Sequence, residues 1–86
     1  MPRISVFLGI VITMYFDDHA PPHFHARYSG QEAAIGIEPL TLLAGALPAR
    51  VVGQVFEWAQ THQAELLDDW ALVEAHQPPR PIAPLT

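Results

Sequence analysis

The chain has 86 residues, with nine acidic side chains against four arginines and neither lysine nor cysteine, for a net charge of −5. That balance disfavours tight binding along a nucleic-acid backbone, whose affinity comes largely from basic contacts that release counterions, and it excludes disulfides and cysteine-based zinc staples. Half the residues are apolar, a globular composition. A chain this short buries only about 60–65% of its unfolded surface, so contact with a second copy or a partner is expected to add stability.

The first apolar run, Ile4 to Phe16, is too short to span a bilayer as a helix. It is broken by Ser5, Gly9 and Thr13 and runs into Asp17-Asp18 without a small-residue cleavage pattern. It reads as buried β-structure, rich in β-branched and aromatic residues, with Gly9 marking a bulge or bend between its halves. From Ile10 to Phe16 both faces are mostly apolar, as in a central strand. No membrane partner is expected, and the lack of cysteine fits a reducing cytoplasm.

Asp17 to Pro22 is a loop, because Pro-Pro cannot continue a strand ladder. His23–Tyr28 and Gln31–Ile37 flank Ser29-Gly30, a two-residue hairpin turn. In that register Arg27 faces Glu32, His25 faces Ala34 and His23 faces Gly36. Phe24, Ala26, Tyr28, Ala33, Ile35 and Ile37 then share the core face. His23, His25, Arg27 and Glu32 share the other, where Ala34 and Gly36 leave open space over the imidazoles.

Leu40 to Ala44 reads as a short further strand stopped by Gly45. Pro48 suits the first turn of a helix, and Val51, Val52, Val55, Phe56, Ala59 and His62 recur at helical spacing. Leu66, Leu67, Trp70 and Val73 form a second apolar stripe. The two segments make either one long helix or two that break near Thr61-His62-Gln63. Trp58 and Trp70 read as core or interface anchors. Residues 77–86, with Pro78, Pro79, Pro81 and Pro84, read as an extended, polyproline-like tail. The expected fold class is therefore α+β. A small antiparallel sheet of three to four strands carries one or two C-terminal helices on one face, in a single domain of residues 1–76 followed by the tail.

Ten positions, His19 to Tyr28, hold three of the five histidines and one of the four arginines. Successive members of the set His23, His25 and Arg27 stand about 6.6–7 Å apart along one strand face. Two imidazoles so placed can share a divalent transition metal, with His19, Asp17, Asp18 or Glu32 as third ligand. The metal set is His19, His23 and His25 in its all-imidazole form. The same face suits metal-free phosphodiester cleavage as a catalytic trio. One histidine would act as base and the other as acid, with Arg27 stabilising the developing charge. The plainer reading has these histidines bonded to loop carbonyls and Arg27–Glu32 as an ordinary surface ion pair. His62 reads as a partly buried core histidine, though a helix over the polar sheet face would bring it near His25. The acids from Glu57 to Glu74 read as a solvated face that is also fit to recruit a basic partner.

From Gly9 to Phe16, through Asp18-His19-Ala20-Pro21-Pro22-His23-Phe24-His25-Ala26-Arg27-Tyr28, and on to Gly45-Ala46-Leu47-Pro48, Glu57-Trp58-Ala59, His62, Glu65-Leu66 and Trp70, the chain resembles a small bacterial family, domain of unknown function 4160. The Pro-Pro-His-Phe-His motif is specific to that family. The resemblance implies a short single-domain protein. Genes of this family often neighbour a second family of unknown function, number 2442, in pairs classed as toxin–antitoxin modules. A small protein partner from the neighbouring gene follows, but no established reaction. Gly53, Gln54 and the absence of lysine depart from many relatives and count against a nucleic-acid role. Three functions are thus expected to compete. They are a toxin-like member of a two-gene module acting on RNA, a metal- or small-ligand-binding domain, and a non-enzymatic interaction protein.

Overall fold

Leu8 and Gly9 decide how the first apolar run folds. Both adopt left-handed backbone, with φ of 52° and 78°, the combination that a tight two-residue hairpin turn demands. In the computed structural model, which describes residues 2–86, the run is therefore two strands, β1 (Arg3–Phe7) and β2 (Ile10–Thr13). They are followed by β3 (His23–Tyr28), β4 (Gln31–Ile37) and β5 (Leu40–Gly45), then by α1 (Ala49–Thr61) and α2 (Gln63–Glu74). The sheet has five strands in chain order, all neighbours antiparallel. The expectation of three to four strands is corrected upward because Gly9 is a hairpin turn rather than a bulge. β2 also stops at Thr13, short of Phe16.

The β3–β4 register is Tyr28 with Gln31, Arg27 with Glu32, His25 with Ala34 and His23 with Gly36. Ser29 and Gly30, at φ 49° and 82°, form its turn. Gly45 ends β5 at φ +78°, where a Cβ would collide with the backbone of Glu32 and Ala33, so only glycine fits there.

Alternation places Ile10, Ile12, Phe24, Ala26, Ile35 and Ile37 on one face, all fully buried. The helices cover that face with Val51, Val55 and Trp58 from α1 and Leu66, Trp70 and Val73 from α2. Phe24 meets Trp58 edge to face at 5.9 Å. There are two helices, broken at His62, whose φ of −114° and ψ of 24° leave the helical range. The Gln63 side chain donates to the Ile37 carbonyl at 2.6 Å and pins the break to the sheet. Since the helices take the apolar face, His62 packs by Trp58 and pairs with Glu65 at 2.6 Å rather than approaching His25.

Residues 77–86 carry neither helix nor strand and lie against the body. The Arg80 amide donates to Asp69 Oδ1 at 2.8 Å, the Ile82 amide to the Ile4 carbonyl at 2.7 Å, and Trp58 Nε1 to the Ala83 carbonyl at 2.8 Å. Ile82 is buried in the core. No helix of the described residues is long and apolar enough to cross a membrane.

Candidate metal centre

Burying Phe24 and Ala26 turns their strand neighbours His23 and His25 to the opposite face of β3. The loop between β2 and β3 folds back over that face and delivers Asp18. Its carboxylate oxygen Oδ2 lies 3.1 Å from His23 Nε2 and 2.9 Å from His25 Nε2. One ligand atom from each of the three residues falls within 4.8 Å of the others, and this is the one such group among the described residues. His23 is buried and Asp18 and His25 are half-buried, so the cluster is partly shielded from water.

The surroundings hold the two rings in place. The Pro21 carbonyl accepts from His23 Nδ1 at 2.7 Å. A carbonyl can only accept, so His23 Nδ1 carries a proton and donates it to Pro21. The His23 ring is wedged between Trp70 at 5.2 Å and His25 at 5.1 Å. The other nitrogen of His25, Nδ1, stands 3.3 Å from Glu32 Oε2, and Tyr15 packs edge-on against its ring at 4.3 Å. The Tyr15 hydroxyl donates to the same Glu32 oxygen at 3.2 Å. Burial pushes the Tyr15 phenol above its ordinary value, with the Glu32 charge adding to the rise and a bond with Thr13 opposing it. Tyr15 thus remains a neutral donor near pH 7.

The expected residues separate here. His23 and His25 converge, but the third member of the group is Asp18, while His19 is exposed and outside it. The loop backbone turns Asp18 over the strand face and leaves its neighbour His19 exposed. Arg27 is exposed and stands opposite Glu32 in the register; its charge acts on Tyr15. The open space expected over both imidazoles exists only beside His25. A shallow depression of about 230 Å³ lies there, lined by Glu32, Ala34, Ala44 and Gly45. At His23 the space is closed by Trp70, and beside Gly36 it is closed by Thr41 and Leu43 of β5. Tyr15 and Trp70 were not legible as site residues. Their only signal was aromatic character, which core packing explains equally well.

A protein-family model matches residues 9–71, from the β1–β2 turn to α2, and so spans every residue of this cluster. The chain belongs to the family described as Domain of unknown function (DUF4160). The matched region of this DUF4160 chain leaves out β1, the last residues of α2 and everything from residue 72 onward. Neither a search of curated proteins nor a search of solved structures returns a match.

Proposed function

We propose that this DUF4160 protein is a metal-binding domain holding one divalent transition ion on Asp18 Oδ2, His23 Nε2 and His25 Nε2. The observation that carries the reading is the shared target of the two imidazoles. Both Nε2 atoms face one carboxylate oxygen, and each Nδ1 faces an acceptor, Pro21 O or Glu32 Oε2. Histidines that bind metal through one nitrogen typically offer the other to a carbonyl or carboxylate in this way.

The spacing also fits. Bonds of about 2.0–2.1 Å in a tetrahedral site put ligand atoms about 3.3 Å apart. Contacts of 2.9 and 3.1 Å need open by only a few tenths of an ångström. His25 would offer Nε2 to the ion with its ring proton on Nδ1, opposite Glu32 Oε2. Imidazole nitrogen suits zinc, nickel and copper alike.

Three protein ligands leave a coordination position for water or substrate, the pattern of catalytic rather than structural sites. An ion held this way supplies Lewis acidity toward a water or a phosphate oxygen. On the strength of the family resemblance, we place this centre in the toxin-like member of a two-gene module, acting in the cytoplasm with a small protein partner. The metal-free alternative, with His23, His25 and Arg27 as acid, base and charge stabiliser, has less support. Arg27 is exposed, whereas both imidazoles turn to Asp18.

Melting curves test the metal reading. At a hundredfold excess over Kd, a single bound ion raises Tm by about 10 °C or more in a domain of this size. His25→Ala removes that rise while the fold survives. Unchanged melting with zinc, nickel and copper contradicts the proposal. Growth inhibition on expression, lost in His25→Ala, tests the toxin-like role separately.

A further inference from the structure

The acidic helix α2 carries a second feature, far from the imidazoles in sequence. Asp69 is only 2% exposed, although it lies on a helix with acidic neighbours on both sides. Its Oδ1 accepts the Arg80 amide at 2.8 Å, but its Oδ2 is buried and has no hydrogen-bond partner. Burial pushes this carboxyl above its ordinary value; the Arg80 amide opposes the rise and the Glu65 charge adds to it. A carboxylate oxygen without a donor in a water-poor setting is costly.

The same residue lines a cavity of about 150 Å³ between α2 and the tail, walled by Glu65, Asp68, Arg80, Pro81 and Ile82. That is about half the lower end of the range for small-molecule sites, so the cavity admits a head group rather than a whole metabolite. Arg80 brings the only basic side chain to the rim. It is exposed and leaves Oδ2 unpartnered.

We infer that this cavity is a binding site for a cationic nitrogen group, a guanidinium by preference. Its carboxylates are spread along its walls. The acids do not converge as metal ligands do, since the one converging group among the described residues is Asp18, His23 and His25. A planar guanidinium, with five donors in a fixed fork, bridges such separated acceptors, whereas a compact ammonium or a metal ion does not. Its charge answers both the desolvated Oδ2 and the net charge of −5. The group has two sources, an arginine side chain of a protein partner or a free guanidino compound.

Nuclear magnetic resonance titration of the full chain separates them, with agmatine as the free probe, an acetylated and amidated Gly-Arg-Gly tripeptide as the protein-like probe, and calcium as the point-charge control. Saturable shifts at Asp69 and Ile82 with agmatine support a free ligand. Shifts with the tripeptide alone support a partner arginine. Asp69→Asn keeps the Oδ1 acceptor for Arg80 and is expected to weaken either probe about tenfold or more, the loss of one charge-assisted bond. Glu65→Gln, on the exposed rim, gives a smaller loss and serves as the second variant should Asp69→Asn fold poorly. Binding by neither probe, binding unchanged in both variants, or calcium shifting the same resonances as strongly would overturn the inference.

Discussion

At the scale of single residues, the proposed metal centre turns on Asp18. The histidine pair and its strand face were legible from the Phe24–Ala26 alternation alone. The third member of the group was not, because Asp17, Asp18 and His19 are equivalent in a loop until its backbone path is known. Asp69 was equally hidden. Its neighbours Glu65, Asp68 and Glu74 are exposed, and only the tail folding across it makes it a buried group. Its raised pKa has a definite consequence for stability. The folded chain holds this proton more tightly than the unfolded chain, so the contribution of Asp69 to stability is greatest at low pH. It falls as pH rises from the ordinary carboxyl value, 3.8, through the raised one. Asp69→Asn removes this loss and leaves the Arg80 bond in place. Urea unfolding at a series of pH values should therefore show the variant at least as stable as the natural chain at pH 7, with a flatter acid limb.

Among the elements, the two hairpins contrast instructively. Ser29-Gly30 is a recognisable turn, so the register of β3 and β4, and with it the placement of His23 and His25, could be read residue by residue. Leu8-Gly9 turns in the same way but conceals it, since leucine rarely takes positive φ. From sequence the first apolar run consequently reads as one strand with a bend. A left-handed Leu8 that is 58% exposed costs about 1 kcal/mol without burying its side chain. Leu8→Asn is expected to raise stability by about 0.5–1 kcal/mol, measured by chemical unfolding. Gly45 is the reverse case. Gly45→Ala meets the Glu32 carbonyl and should cost about 2 kcal/mol or more, detaching β5 and the depression beside His25.

At the scale of the whole molecule, the arrangement divides its work between two faces. The helices pack on one side of the sheet, with Trp70 of α2 reaching His23, and the other side carries the imidazoles and the loop that brings Asp18 to them. The α+β class and the two amphipathic segments follow from periodicity. What periodicity cannot convey is the path of residues 77–86, whose prolines fit an extended tail lying on the body or on a partner alike. They are held by four hydrogen bonds, to β1, α1 and α2, and by Ile82 in the core. Ile82→Ala should therefore cost about 2–4 kcal/mol in thermal or chemical unfolding, as for any buried isoleucine, although the residue lies outside the matched family region. The most direct test of the metal centre is ion content per chain after equilibrium dialysis against zinc, compared among the natural chain, Asp18→Asn and His19→Ala. One ion is expected in the natural chain and in His19→Ala, with none retained in Asp18→Asn; equal content in all three, or loss in His19→Ala alone, would contradict the assignment of Asp18, His23 and His25.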